Sequence, residues 1–210
     1  MAKYVYKIHT NRTRIKVGKS NHIVVKNKKE IEMAATRKSV LFVCLGNICR
    51  SPTCEGICRL ISQGEVDAQS ASTSSWHRNE CPDERSQEIC MKHGIDISGH
   101  RARAIRNDDW EYFDIIAALD QKVLDVLKGM RPEGQNQGQN ENQNDSQSDS
   151  QNTGQGQTKA KLVLFNPPDG VGDPYYGGRS GFQKMFTQIY NAMGDFLLGN
   201  GLIEKLPEKY

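Results

Sequence analysis

No stretch of 18 consecutive apolar residues occurs in this sequence, so no helix of it is expected to span a bilayer. No short basic segment followed by an apolar core opens it, which argues against a secretory leader. Apolar residues make up only 36% and aromatics 7% of the 210 positions, little for a compact domain of that length. Some of the chain is therefore expected to lie outside the core. A basic surplus is also missing from most of the molecule. Residues 1–38 hold 11 Lys/Arg against 2 Asp/Glu, whereas the whole chain has 28 against 25. The remainder is thus net acidic, and no nucleic-acid face is expected there. The six cysteines include no second pair at ligand spacing, so a zinc site is not indicated. With no secretory pattern they read as reduced thiols of a cytoplasmic protein.

Two segments stand apart in composition. Residues 1–37 form a basic extension, expected to be disordered: a transit peptide, a tethering arm, or a stretch upstream of a start at Met33. Residues 134–157 hold 13 Gln/Asn among 24 positions and no apolar side chain, and read as a disordered insertion. The domain proper is expected over 38–210. Its Ser39–Cys44 run (SVLFVC) reads as a buried strand, Arg50–Gln63 as a helix, and Val66–Thr73 as a weaker strand. Asp83–Gly94 and Ile105–Tyr112 read as helices, Phe113–Leu119 as a strand, and Asp120 as the cap of a helix ending near Met130. Lys161–Phe165 reads as a strand and Gly178–Leu198 as a long amphipathic helix. Alternating strands and helices predict an α/β fold: a doubly wound four-stranded parallel sheet with a site at the strands' carboxyl ends.

The chemistry concentrates in Cys44-Leu45-Gly46-Asn47-Ile48-Cys49-Arg50-Ser51-Pro52, a strand end, a tight loop and a helix start. Inward N–H groups of such a loop, with the unpaired N–H groups and dipole of the helix, make an anion cradle. Arg50 adds a planar fork suited to two phosphate oxygens. Gly46 is expected to adopt a conformation closed to other residues. A free thiol ionises near pKa ~8.5, and positive surroundings lower such values to roughly 3.5–7.5. A cradle that binds phosphate therefore also favours a thiolate in its floor, the place of Cys44. Ser51 is positioned to bond that sulfur. Asp173, in Gly172-Asp173-Pro174-Tyr175-Tyr176-Gly177-Gly178, is the candidate general acid, on a loop after the last strand. As residues alone, Cys-x5-Arg and Asp-Pro also occur as ordinary packing and turn features.

Together these segments, with SSWH, PDERSQEICMKHGI and DPYYGG, resemble the low-molecular-weight protein tyrosine phosphatases over Ser39–Leu198, the insertion excepted. The resemblance implies hydrolysis of phosphotyrosine in proteins, and of small aryl phosphates, through a phosphocysteine on Cys44. Arg50 would bind phosphate, and Asp173 would serve as acid and then base. Leu45, Gly46, Asn47, Ile48, Cys49 and Ser51 would form the phosphate-binding loop, with Ser70 and His100 behind Asn47. Leu45, Trp76, Tyr175 and Tyr176 would line the cleft. Cys49 would pair with Cys44 under peroxide. No metal or cofactor is expected, because Arg50 and the loop amides balance the phosphate charge. The partners implied are phosphotyrosine proteins, with no nucleic acid and no membrane span, and the protein is expected to be a monomer. Departures from the family pattern are Cys54-Glu55-Gly56 on the first helix, Gln69 and Ala71 around Ser70, and the long loop after Asp120. Two rival functions remain: an arsenate reductase on the same fold, using Cys81 and Cys90 as further thiols, and a phosphotyrosine-binding protein without turnover. His77 and His93 read as structural or exposed.

Overall fold

A computed structural model describes residues 12–15, 24–27, 37–132 and 158–208. The chain divides into two compact units, residues 1–37 and 38–210. In the first, β1 (Arg12–Ile15) pairs antiparallel with β2 (Val24–Asn27). Residues 1–11, 16–23 and 28–36 of the basic extension, and the whole Gln/Asn-rich segment 134–157, lie outside the described residues.

The second unit contains β3 (Ser39–Cys44), α1 (Arg50–Ile61), β4 (Asp67–Ser72), α2 (Glu84–Lys92), α3 (Asp109–Tyr112), β5 (Ile115–Ala118), α4 (Gln121–Met130), β6 (Lys161–Leu164) and α5 (Arg179–Gly199). The four strands form an all-parallel sheet in the order β4-β3-β5-β6. The chain leaves β3 toward one edge and later returns to its other side, so β3 is the point where the winding reverses. Crevices at such points, beyond the strands' carboxyl ends, are where ligands bind in this architecture.

The apolar run of β3 is continuous because both faces of the strand are covered. Val40, Phe42 and Cys44 join one core with α1, α2 and α5, while Leu41 and Val43 join a second with Trp110, Val123 and Leu127. β5 divides its residues the same way: Ile115 and Ala117 on one side, Ile116 and Ala118 on the other. The apolar stripe read on the last helix is its buried face, with Phe182, Met185, Phe186, Ile189, Met193 and Leu197 all inside. Asp83 and Asp120 cap their helices, accepting from the N–H groups of Arg85 and Val123. One element is shorter than expected. The helix read over 105–112 forms only from Asp109, because Arg106 N–H donates to the Asp109 carboxylate and holds the preceding residues in a turn.

Gly56 is a departure that packing explains. A Cβ there would lie 2.6 Å from Ile95 Cγ2 and 3.0 Å from Ile97 Cγ2. Alanine would gain about 1 kcal/mol of helix propensity. It would lose about 1–3 kcal/mol by overpacking against two stiff β-branched side chains. Gly56→Ala is therefore expected to be neutral to destabilising, by up to about 2 kcal/mol; a higher unfolding midpoint in urea would contradict this.

The stem of the long α4–β6 connection is closed by side chains. Arg131 Nε and Nη2 each donate to Thr158 Oγ1 at 3.2 Å, Nη2 also reaches Ala160 O at 3.2 Å, and the guanidinium lies 5.8 Å from the Trp110 ring. This stem sits where β6 begins, at the end of the sheet opposite Cys44.

Candidate active site

β3 ends at Cys44, and residues 45–49 turn over its end before α1 begins at Arg50. The turn is tight because Asn47 takes a left-handed conformation, φ 58°. The expectation that Gly46 supplies this conformation is corrected: Gly46 is not in the left-handed region, and its missing side chain serves close approach instead. A Cβ on Gly46 would lie 3.0 Å from His77 Cδ2.

Asn47 is fully buried, and four side-chain bonds offset its backbone cost. Its Nδ2 donates to Ser51 Oγ and to Ser70 Oγ, both at 2.9 Å. Its Oδ1 accepts from Arg103 N–H at 2.9 Å and from His100 Nε2 at 3.1 Å. Ser70 Oγ donates in turn to Glu55 Oε2 at 2.6 Å, and Arg59 Nη2 pairs with Glu55 Oε1 at 2.6 Å. Burial pulls the His100 imidazole below its ordinary value, against the upward pull of the Glu55 carboxylate. The side chains of Asn47, Ser70 and Glu55 are thus joined in one buried network, which holds the loop in its shape.

The Cys44 sulfur faces this loop. Asn47 N–H points at Sγ from 3.2 Å, and Ser51 Oγ lies 3.1 Å away. The other buried cysteines are poor rivals as nucleophiles. Burial, with Asp83 and Cys44 nearby, pushes the Cys49 thiol up to about 12. Burial pushes Cys58 to about 12 and Cys90 to about 11, and raises Cys54 well above the usual thiol range. Thiols so shifted stay protonated and unreactive near neutrality. All six cysteines are free.

Arg50 is buried at the start of α1. Its Nη1 pairs with Asp120 Oδ2 at 2.5 Å and donates to Val171 O at 3.2 Å; its Nη2 pairs with Asp173 Oδ2 at 2.8 Å. Burial opposes the guanidinium charge, but Cys44, Asp173 and Asp120 outweigh it and hold Arg50 firmly charged. Val171 reaches Arg50 because Gly170, at φ +71°, packs its backbone directly on the end of β5. A Cβ there would lie 2.6 Å from Leu119 O.

Cys44, the loop residues Leu45, Gly46, Asn47, Ile48 and Cys49, and Arg50 share one small cavity, about 90 Å³, with Trp76, His77, Asp173, Tyr175 and Tyr176. Sulfur and guanidinium line its floor. Trp76 and Tyr176 line it while remaining 75% and 97% exposed. Every sequence-predicted site residue is thereby accounted for: those of the cavity, Ser51 beneath it, and Ser70 and His100 behind Asn47. A larger groove of about 630 Å³ on the outer side of α1 is lined by Pro52, Glu55, Arg59 and Arg101 among others, and holds no cysteine.

The family model described as low molecular weight phosphotyrosine protein phosphatase matches residues 39–209. The chain belongs to that family. Low molecular weight phosphotyrosine protein phosphatases from Schizosaccharomyces pombe and Gallus gallus are 32% and 35% identical to it. They align over 75% and 76% of this chain and 94% of each relative. Among solved structures, the Entamoeba histolytica protein tyrosine phosphatase with Hepes in its active site superposes with TM-score 0.62. It shares 27% identity and covers 79% of this chain and 99% of its own. The Streptococcus pyogenes low molecular weight protein tyrosine phosphatase gives 0.59, with 28% identity, 76% of this chain and 91% of its own.

Three residues around this cavity are not legible as such in the sequence. Asp120 reads only as a helix cap, and nothing in a separation of 70 residues connects it to Arg50. Glu55 reads only as part of an altered helix segment. His77 reads as structural or exposed, yet it lines the cavity beside Gly46, held by a 2.8 Å contact from Nδ1 to Glu80. Its place next to Trp76 is the available signal.

Proposed function

We propose that this phosphotyrosine protein phosphatase works by two transfers of one phosphoryl group, with Cys44, Arg50 and Asp173 as its reacting residues. The observation that carries the reading is the Cys44 sulfur, met by Asn47 N–H and Ser51 Oγ at the bottom of a cavity that Arg50 and Asp173 also line. A phosphate entering there meets inward N–H groups and the guanidinium fork. These hold its non-bridging oxygens while charge redistributes in the transition state.

In the first step the Cys44 thiolate attacks phosphorus, the S–P bond forms, and the P–O bond to the tyrosine ring breaks. The departing phenolate takes a proton from the Asp173 carboxyl group. Before substrate arrives, Asp173 Oδ2 is paired with Arg50 Nη2 at 2.8 Å. The incoming phosphate competes for that same edge of the guanidinium. In the second step the Asp173 carboxylate takes a proton from water, the water oxygen attacks phosphorus, and the S–P bond breaks. The Ser51 hydroxyl bonds the departing sulfur. Trp76, Tyr175 and Tyr176 supply apolar walls on which a flat phenyl ring can lie. This favours phosphotyrosine proteins and small aryl phosphates over shorter phosphoserine.

The arsenate reductase alternative needs a relay of reactive thiols. Cys90 is fully buried and held as a thiol, which disfavours that relay. A protein that only binds phosphotyrosine needs neither the sulfur nor the acid. Six free cysteines fit a reducing compartment, and this reading places the enzyme in the cytoplasm.

Rapid acid quenching during turnover of a phosphotyrosine substrate is expected to trap one phosphoryl group per chain, on Cys44 as located by mass spectrometry. Phosphate on any other residue, or none despite rapid turnover, would overturn the covalent route.

A further inference from the structure

The proposed general acid stands on a loop that side chains from elsewhere in the fold hold in place. Residues 172–178 are rich in glycine and mostly exposed, and within the segment the Gly177 N–H to Pro174 O bond at 2.8 Å only closes a turn. Asp173 must nevertheless stay within reach of an oxygen held on the other side of the cavity. Arg50 pairs with Asp173 itself, and the side chain that ties down the carbonyls of the loop comes from the first turn of α2.

Arg85 Nη1 donates to Gly177 O at 2.8 Å and Nη2 donates to Tyr175 O at 3.1 Å. The other side of the same guanidinium is gripped by Asp83, through Nε to Oδ1 at 2.9 Å and Nη2 to Oδ2 at 2.7 Å. Its flat face lies 4.2 Å from the Phe182 ring of α5 and 6.0 Å from the Tyr175 ring. Asp83 N–H in turn donates to Ile48 O, in the phosphate-binding loop, at 2.9 Å. A continuous strut therefore runs from the loop over Cys44, through Asp83 and Arg85, to the loop bearing Asp173. It ends on the residue that orients the acid, because Tyr175 N–H donates to Asp173 Oδ1 at 3.1 Å. Only a planar group with five donors can serve both carbonyls and both carboxylate oxygens at once.

We propose that Arg85 is a positioning residue that sets the distance between Asp173 and the phosphate-binding loop, an inference that rests on Asp173 being the general acid. Misplacing a catalytic group by about 1 Å can cost up to about 10²-fold in rate. Arg85 bonds the backbone of the acid loop and Asp83, not Cys44 or Arg50, so the effect proposed here is the part that passes through Asp173.

The test is a double-mutant cycle on the full chain, read as kcat/KM for a phosphotyrosine peptide. Arg85→Met is expected to lower it about tenfold in the wild-type background and less than about twofold in the Asp173→Asn background. Arg85→Lys, which can serve one carbonyl but not two, should recover part of the loss. Arg179→Met serves as control. It removes the neighbouring α5–α2 ion pair with Glu88, at 3.0 Å, without touching the acid loop, and should leave kcat/KM unchanged. Equal losses from Arg85→Met in both backgrounds would overturn the inference while leaving the acid assignment standing. An Asp173→Asn enzyme with unchanged kcat/KM would overturn the acid assignment, and this inference with it.

Discussion

Replacing Cys44 by serine is expected to abolish turnover, with a loss on the order of 10⁶-fold, as for removal of the nucleophile in other covalent catalysts. The substitution changes one atom and leaves the cradle in place. A serine hydroxyl ionises far less readily than a thiol, and the contacts around this position offer no base to activate it. Those contacts are Asn47 N–H, a donor, and Ser51 Oγ, whose hydrogen is divided between Cys44 Sγ and Ala71 O at 3.3 Å. The guanidinium and the loop N–H groups are untouched, so inorganic phosphate should still bind. The two measurements are steady-state release of p-nitrophenol from its phosphate ester, and phosphate titration by calorimetry. Turnover within tenfold of the unmodified enzyme would remove Cys44 from the chemistry. Loss of phosphate binding together with turnover would mean that the loop itself had collapsed.

Asp173→Asn should lower turnover of phosphotyrosine by about 10²–10⁴-fold, the usual contribution of a positioned acid. The size of the loss should depend on the leaving group. A phenolate as basic as that of tyrosine needs a proton as it departs. A strongly electron-poor phenolate leaves without one, so kcat/KM for such an ester should fall much less. Asparagine keeps the shape and can still accept the Tyr175 N–H bond, but it carries no transferable proton. It also removes the ion pair to Arg50 Nη2, at 2.8 Å, so phosphate should bind no more weakly and KM should not rise. Equal losses for good and poor leaving groups would show that Asp173 orients Arg50 rather than donating a proton.

Much of the fold was legible because its rules are local. The unbroken apolar run Ser39–Cys44 announces a strand covered on both faces, and Asp83 and Asp120 announce helix starts by offering carboxylates to unpaired N–H groups. The turn over the end of β3 was legible for a related reason: Cys44, Arg50 and the helix start fall within seven residues. Long-range features were not. Arg50 is held by Asp120 and Val171, separated from it by 70 and 121 positions, and such pairings leave no mark on spacing. Glycines misled in a particular way. Gly46 was read for its backbone freedom, but the left-handed residue is its neighbour Asn47, whose buried amide makes the bonds that sustain it. Gly170 carries the left-handed conformation expected of Gly46, at a place where the sequence shows only an ordinary Asp-Gly turn.

The clasp of Arg131 on Thr158 and Ala160 separates length from geometry. Because Arg131 and Thr158 close the stem of this connection at the pole of the sheet away from the sulfur, adding or removing residues between them is expected to leave the position of Cys44 unchanged. For the experimenter that makes the segment a natural splice point, where a tag, a recognition peptide or a second domain can be written into the chain while the enzyme goes on working beneath it.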